Sequence, residues 1–322
     1  MKRQFGQYFS KNAELIDAFR HRVGKDDILI DPFAGAMDLL NQFDNFNESY
    51  DLFPQNEGTI RHNSLLTPVS YHNKFILTNP PFLNINKSED KEIFELYETD
   101  DLYKAALKTI IATGEKGIII LPSAFWFNER SAAIRKEFLE AFNVPEVMVF
   151  NKQMFEDTTY TVCSFYFEKG PSAATQFTIV GNNPATTTLT FSPENNYSIA
   201  EDVEQQLLKA PFKIGRYTKL EQKPTNIYLR CIDSSRRIGV ELKEPYLGKS
   251  SDRAFLTFTT EVELTTEQEV AIVNMFNDEL ERLRLIYSDA FLSNYRNGGR
   301  KRISFTFAYK LFGHCLTKVN GG

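Results

Sequence analysis

Phe75-Ile76-Leu77-Thr78-Asn79-Pro80-Pro81-Phe82 sets a short apolar run against a polar, stiffened tetrapeptide. The run reads as a buried strand, because short continuous apolar segments bounded by turn signals suit the interior of a parallel sheet. In an open α/β sheet, ligands collect beyond the carboxyl ends of the strands, and Asn79 to Phe82 stand at one such end. Two consecutive prolines hold the backbone stiff, so the Asn79 side-chain oxygen and the Pro80 carbonyl can serve as two fixed acceptors. Such a pair can take both hydrogens of an amino group on an aromatic ring. That nitrogen is a poor nucleophile, since its lone pair is delocalised, and pre-aimed acceptors stabilise the charge that grows as it is alkylated. Phe82, held by the rigid turn at Pro81, offers a flat face for stacking. The plainer reading is a strand-ending turn with a core Phe.

Working outward, a second strand signal, Ile28-Leu29-Ile30, leads into Asp31-Pro32-Phe33-Ala34-Gly35. A strand, a Gly turn and a helix start make a backbone cradle for a nucleoside cofactor. Asp51 follows about 20 residues on, the spacing at which a carboxylate meets ribose hydroxyls in such folds. Gly6-Gln7-Tyr8-Phe9-Ser10 precedes a predicted amphipathic helix over 11–22. Ser10 can cap that helix, or its start can hold a carboxylate. Helix signals at 38–43, 102–113 and 129–142 alternate with strand signals at 117–121, 147–150 and 161–167. The pattern predicts a doubly wound, mostly parallel α/β sheet. Near Gly170 the chain turns rich in Thr, Ser, Asn and Pro, which places a boundary between domains 1–170 and 171–322. In the second domain Thr266 and Glu269 suggest a capping box ahead of a long helix.

A chain of 322 residues is long enough for two cores. Aromatics make up 13%, with 28 Phe, which fits a Phe-filled core or a few stacking faces equally well. Net charge is −5, split as −7 over 1–170 and +2 beyond, so basic character shifts toward the C-terminal half. Cys163, Cys231 and Cys315 are widely spaced, and with scattered histidines they indicate neither a metal site nor a disulfide frame. The N-terminus lacks a signal-peptide pattern and no apolar stretch is long enough to cross a membrane, so a soluble, intracellular protein is expected. Arg230, Arg236 and Arg237 form one basic group and Arg253 lies in a polar loop. Tyr295-Arg296-Asn297-Gly298-Gly299-Arg300-Lys301-Arg302 packs four cations into a Gly turn. These suit phosphate contact, or are solvated charged turns.

Together these segments resemble the amino-methyltransferases that modify DNA, which share a DPFxG motif and a catalytic (D/N/S)PP(Y/F/W). The order GQYFS, DPFAG, NPPF and then a C-terminal extension is similar to the γ group of N6-adenine methyltransferases. It has the flavour of type II restriction–modification enzymes, those of chlorella viruses among them. Recognisable motifs cover about 1–170. The resemblance implies a class I, Rossmann-like fold that uses S-adenosylmethionine, releases S-adenosylhomocysteine and needs no metal, with a mixed α+β target-recognition domain last. Asn79, Pro80, Pro81 and Phe82 would bind and activate a flipped-out adenine of double-stranded DNA, with Phe155 on its other face. Asp31, Phe33, Ala34, Gly35, Asp51, Asn63 and Ser64 would line the cofactor site with Asn79, and Tyr8, Phe9 and Ser10 would hold the methionine. The arginines named above and Lys301 would touch DNA. A monomer is expected, with a cognate restriction endonuclease acting on the same site without a stable complex. Rival readings are an RNA amino-methyltransferase, a protein glutamine N5-methyltransferase, or a non-catalytic DNA-binding specificity module.

Three departures bear on the site. Ala36-Met37-Asp38 stands where a second Gly is usual, so the loop can differ. Asn63 replaces an acidic residue. The segment Leu83 to Asp90 is polar and reads as a loop or a closing lid.

Overall fold

A computed structural model describes residues 12–155, 159–172, 174–181, 184–295 and 300–321. The chain divides into two compact units, one from the described residues within Met1–Trp126 and Arg130–Tyr197. The other comprises Phe127–Glu129, Ser198–Tyr295 and the residues from Arg300 onward.

The first unit is built on β1 (Leu29–Asp31), β2 (Asn47–Asp51), β3 (Ile60–Arg61), β4 (Phe75–Thr78) and β5 (Lys116–Pro122). They are followed by β6 (Phe142–Asn143), β7 (Glu146–Asn151), β8 (Val162–Lys169), β9 (Thr175–Gly181) and β10 (Ala185–Leu189). The sheet runs β3-β2-β1-β4-β5-β8-β7-β9-β10, with β6 on β8. Pairing is parallel from β3 through β5 and between β7 and β9. β8 lies antiparallel between β5 and β7. A short return from β7 permits that direction, whereas a parallel neighbour would need a crossover. Phe75, Ile76 and Leu77 of β4 are fully buried, as a strand with both faces covered should be. At Gly117 a Cβ would come within 2.3 Å of the Ile76 carbonyl oxygen, so only glycine lets β5 sit this close to β4.

Helices α1 (Glu92–Tyr97), α2 (Leu102–Thr113) and α3 (Ala132–Ala141) belong to this unit. Much of the Phe content fills its core. Trp126 stands edge-on to Phe165 and Phe177, with ring centroids 5.3 and 5.2 Å apart.

Several expectations shift. The unit does not end at 170. Residues 175–189 form β9 and β10, which extend the sheet through β7, and the unit runs to Tyr197. The polar composition that suggested a boundary there is that of an edge hairpin with one face in water. In place of a helix over 11–22 stand two 3-10 segments, Ala13–Leu15 and Asp17–Arg22, the first capped by the Asn12 side chain. The helix start at 38–43 is a single 3-10 turn, Leu40–Gln42.

The second unit has a four-stranded antiparallel sheet, β11 (Ile214–Arg216), β12 (Pro224–Arg230), β13 (Gly239–Leu242) and β14 (Phe255–Thr260), ordered β11-β14-β12-β13. It also carries the hairpin of β15 (Ser293–Tyr295) and β16 (Arg300–Arg302). Besides the short helix Ile199–Glu204, helices α4 (Thr266–Ile286) and α5 (Phe305–Val319) belong to it. Phe258 stacks on Phe312 of α5 at 4.2 Å and leans on Phe276 of α4. The capping box at α4 is Thr265 with Gln268, one residue before the predicted pair. No helix among the described residues is long and apolar enough to cross a membrane.

Candidate active site

The carboxyl ends of β1, β2 and β4 bring Asp31, Asp51 and Asn79 to the rim of one cavity of about 420 Å³ within the first unit. Phe33, Ala34, Gly35, Asn63, Ser64 and Pro81 also line it. Residues chosen from separate stretches of sequence therefore share a single site.

The cradle is set by Asp51. Its Oδ2 accepts the Gly35 N–H at 2.8 Å and its Oδ1 accepts the Phe53 N–H at 2.7 Å. Gly35 has φ +52°, which glycine tolerates without steric cost. Met37, where a second glycine is usual, has φ +64°. The loop thus keeps a glycine-like path despite the substitution, while the Met37 side chain is buried beside Ser49. A non-glycine residue there carries about 1–2 kcal/mol of strain. Met37→Gly should consequently be more stable than Met37→Ala by about 1 kcal/mol in urea unfolding, the reverse of their usual order. Equal stability of the two variants would show that the loop relaxes.

Asp31 is 2% exposed, and its Oδ1 accepts both the Thr78 hydroxyl at 2.7 Å and the Phe33 N–H at 3.0 Å. Burial outweighs those bonds and pushes its carboxyl up from 3.8 to about 7. The folded state then holds a proton that the unfolded chain gives up, so stability falls as pH climbs from 3.8 through about 7. A cationic ligand favours the ionised form. Its affinity should therefore rise from pH 6 toward 8, roughly a unit either side of that carboxyl, with proton release detectable by calorimetry in buffers of different ionisation enthalpy. Affinity that is flat over this range would remove Asp31 from contact with the charge.

At the other end of the cavity the Asn63 Oδ1 caps its own turn, accepting from Leu65 and Leu66 N–H at 3.1 and 3.2 Å. Its amino group is the part left for a ligand. The Ser64 hydroxyl is buried and makes no hydrogen bond among the described residues. A buried hydroxyl without a partner is costly, and a polar ligand would relieve it. His62, one of the scattered histidines, also lines the cavity, its Nε2 2.6 Å from the Thr67 carbonyl. Leu52 and Phe53, which the sequence reading passed over, add apolar wall beside Asp51. Their position straight after that acid was the available signal.

The segment after the Asn79–Phe82 turn is a folded wall. Leu102 N–H donates to the Leu83 carbonyl at 3.1 Å and Ile85 N–H to that of Asp100 at 2.9 Å, closing the neck of an excursion. The Lys91 ammonium clips it from inside by donating to the carbonyls of Ile85 and Ser88. Ile85, Ile93 and Tyr97 pack on Leu65, Leu83, Phe94 and Leu102. Lys87, Ser88, Glu89 and Asp90 face the cavity.

Other expected residues lie elsewhere. Phe82 is 4% exposed and meets Tyr103 edge-on at 6.4 Å, and Phe155 is equally buried. Neither is among the described residues that line the cavity, and Pro80 is also buried. Aromatic rings gain most where water is excluded on both faces, and the core supplies that. Tyr8, Phe9, Ser10 and Arg296 lie outside the described residues. In the second unit, Arg230 and Arg236 pair with Glu241 at 3.4 and 3.5 Å, and Arg237 with Glu281 at 2.6 Å. That group is a charge-matched groove, not a bare cationic patch. The exposed Arg253 donates to the carbonyls of Ser250 and Asp252 at 2.6 and 3.0 Å. Arg300 is half-buried, and Arg302 sits 6.0 Å from the Phe305 ring. Lys301 corrects its assignment as a surface contact. Strand alternation turns it inward, 2.7 Å from Asn294 Oδ1 and over the Phe127 ring, and burial lowers its ammonium to about 8.

The first strands run β3-β2-β1-β4-β5, with an antiparallel strand before the next, and the cavity lies at their carboxyl edge, where a doubly wound α/β sheet binds its ligands. Residues 54–208 match the sequence pattern of the N-6 DNA methylase family. No curated protein matches the chain. Among solved structures, it is similar to a restriction-enzyme modification subunit from Vibrio vulnificus YJ016, at 17% identity and TM-score 0.42, covering 55% of this chain and 48% of that one. It is also similar to the methyltransferase subunit of a type I restriction-modification system from Streptococcus thermophilus, at 15% identity and TM-score 0.39, covering 56% and 50%. The type IIG restriction endonuclease BpuSI is similar over 84% of this chain and 47% of its own, at 13% identity and TM-score 0.39. The chain thus spans about half the length of these proteins.

Proposed function

We propose that the protein methylates the N6 amino group of adenine in double-stranded DNA, using S-adenosylmethionine, as a DNA (adenine-N6) methyltransferase of a restriction–modification system. One observation carries the reading. The cradle of Asp31, Gly35 and Asp51 and the acceptor turn of Asn79 and Pro81 open into the same cavity. A methyl donor and an amino acceptor held there would meet in line, which supplies much of the rate.

When bound, the cofactor supplies the methyl group on a sulfonium, an already activated donor. The chain's own residues do the rest. Asp51, beside the Gly35 turn, would hold the ribose hydroxyls, and Asn63 and Ser64 would contact the base of the cofactor. Asn79 and the Pro80 carbonyl accept the two hydrogens of the target amine and stabilise its growing positive charge. The rigid Pro80-Pro81 backbone keeps those acceptors aimed, and the wall from Leu83 to Phe94 keeps water away. The target adenine is flipped from the duplex to reach them. With Phe82 and Phe155 packed in the core, stacking on the flipped base falls to other groups or to a rearranged turn. The second unit is the target-recognition domain, with phosphate contacts from Arg253, Arg300 and the exposed Arg236 and Arg237. The protein acts as an intracellular monomer, and a cognate endonuclease would cut the same site without binding it stably.

The test is transfer of labelled methyl from S-adenosylmethionine to unmethylated plasmid, followed by nucleoside analysis. Label in N6-methyladenine is the expected result. A folded, cofactor-binding protein that labels RNA or protein and leaves DNA untouched would overturn it.

A further inference from the structure

Asp38 was not singled out as a ligand by its motif, yet it lines the cavity. Its carboxylate Oδ2 is buried and accepts no hydrogen bond among the described residues. It does not cap the turn that follows. Leu39 is the N-cap of Leu40–Gln42, with no side-chain bond, and Gln42 reaches only the Asp38 backbone carbonyl, at 3.0 Å. A buried carboxylate oxygen without a donor is costly, and a cationic ligand group would remove that cost.

Five carboxylates line the cavity; Glu89 and Asp90 are exposed, and Asp31 and Asp51 already hold hydrogen bonds. Both Asp51 oxygens hold backbone N–H groups of the cradle, and the Asp31 Oδ1 holds Thr78 and Phe33. S-adenosylmethionine carries two cationic centres. The sulfonium must face Asn79 if its methyl is to reach the amine, which leaves the α-ammonium of the methionine. We propose that Asp38 binds that α-ammonium, and so makes the site select nucleosides bearing an amino-acid tail. The Ser64 hydroxyl, which makes no hydrogen bond among the described residues and also lines the cavity, gives such a ligand its second polar anchor.

The assignment rests on the proposed use of S-adenosylmethionine, so its test reads binding and not methyl transfer. Titration calorimetry would compare S-adenosylhomocysteine, which keeps the α-ammonium, with 5′-methylthioadenosine, which lacks the amino-acid tail. Asp38→Asn keeps the side-chain shape. It should weaken S-adenosylhomocysteine roughly 10- to 100-fold, the range for one charge-assisted hydrogen bond, and leave 5′-methylthioadenosine unchanged. Unchanged binding of S-adenosylhomocysteine, or equal weakening of both ligands, would overturn the role of Asp38. Failure of the unaltered protein to bind either ligand would instead overturn the proposed cofactor, and this inference with it.

Discussion

Asn79→Ala is expected to lower the turnover of methyl transfer by about 10²–10³, the range for loss of one pre-aimed group that stabilises transition-state charge. Cofactor affinity should fall far less, because Asp31, Asp51, Asn63 and Ser64 remain in the cavity. The split matters, since an interaction made only as charge develops lowers turnover without matching loss of binding. Asn79→Asp keeps an acceptor oxygen at the same place and should recover part of the rate. Single-turnover kinetics with DNA, beside calorimetry for S-adenosylhomocysteine, would check both variants. Wild-type turnover in Asn79→Ala would leave the NPPF turn with no chemical role.

Arg135→Met should destabilise the first unit by about 3 kcal/mol, the sum expected when two buried carbonyls lose charged donors. Arg135 lies on α3 and is 1% exposed. Its Nε donates to the Tyr197 carbonyl and its Nη1 to that of Phe125, and the guanidinium sits 5.3 Å from the Phe191 ring. One side chain therefore ties the helix to the end of β5 and to the segment after β10. Two effects compete. Removing a buried charge saves its desolvation cost, and well-packed apolar replacements of buried ion pairs are sometimes more stable. Here the named partners are backbone carbonyls that stay behind, unsatisfied, when Met replaces Arg. That asymmetry decides the sign. Arg135→Lys keeps the charge but lacks the planar fork that reaches two acceptors, so it should fall between the two. Urea unfolding midpoints would rank the three proteins, and a Met variant as stable as wild type would show that desolvation dominates.

The strands and the proline turn that ends β4 were legible in sequence because their signals are local. Ile28 to Ile30 and Phe75 to Leu77 are continuous apolar runs, and each leads straight into a polar turn. Strand ends in such a sheet converge on one edge, which the sequence alone suggested for Asp31 and Asn79, and the resemblance to DNA amino-methyltransferases is what joined them with Asp51 in one site. The boundary near 170 was misplaced because an edge hairpin with one wet face shares its composition with loops, and only its pairing with β7 ties Thr175 to Leu189 to the first unit.

What the amino-acid sequence determined by itself was the layout, with a parallel sheet first, a Gly turn after β1 and a proline turn after β4. What only the tertiary structure decided was which side chains face the cavity. Phe82, Phe155 and Lys301 turned inward, while Asp38, His62 and the wall after Leu83 turned toward the site. The reason is physical. Strand and turn propensities act over a few neighbouring residues, whereas the direction of a side chain is settled by the summed burial and hydrogen bonding of partners far away in the chain.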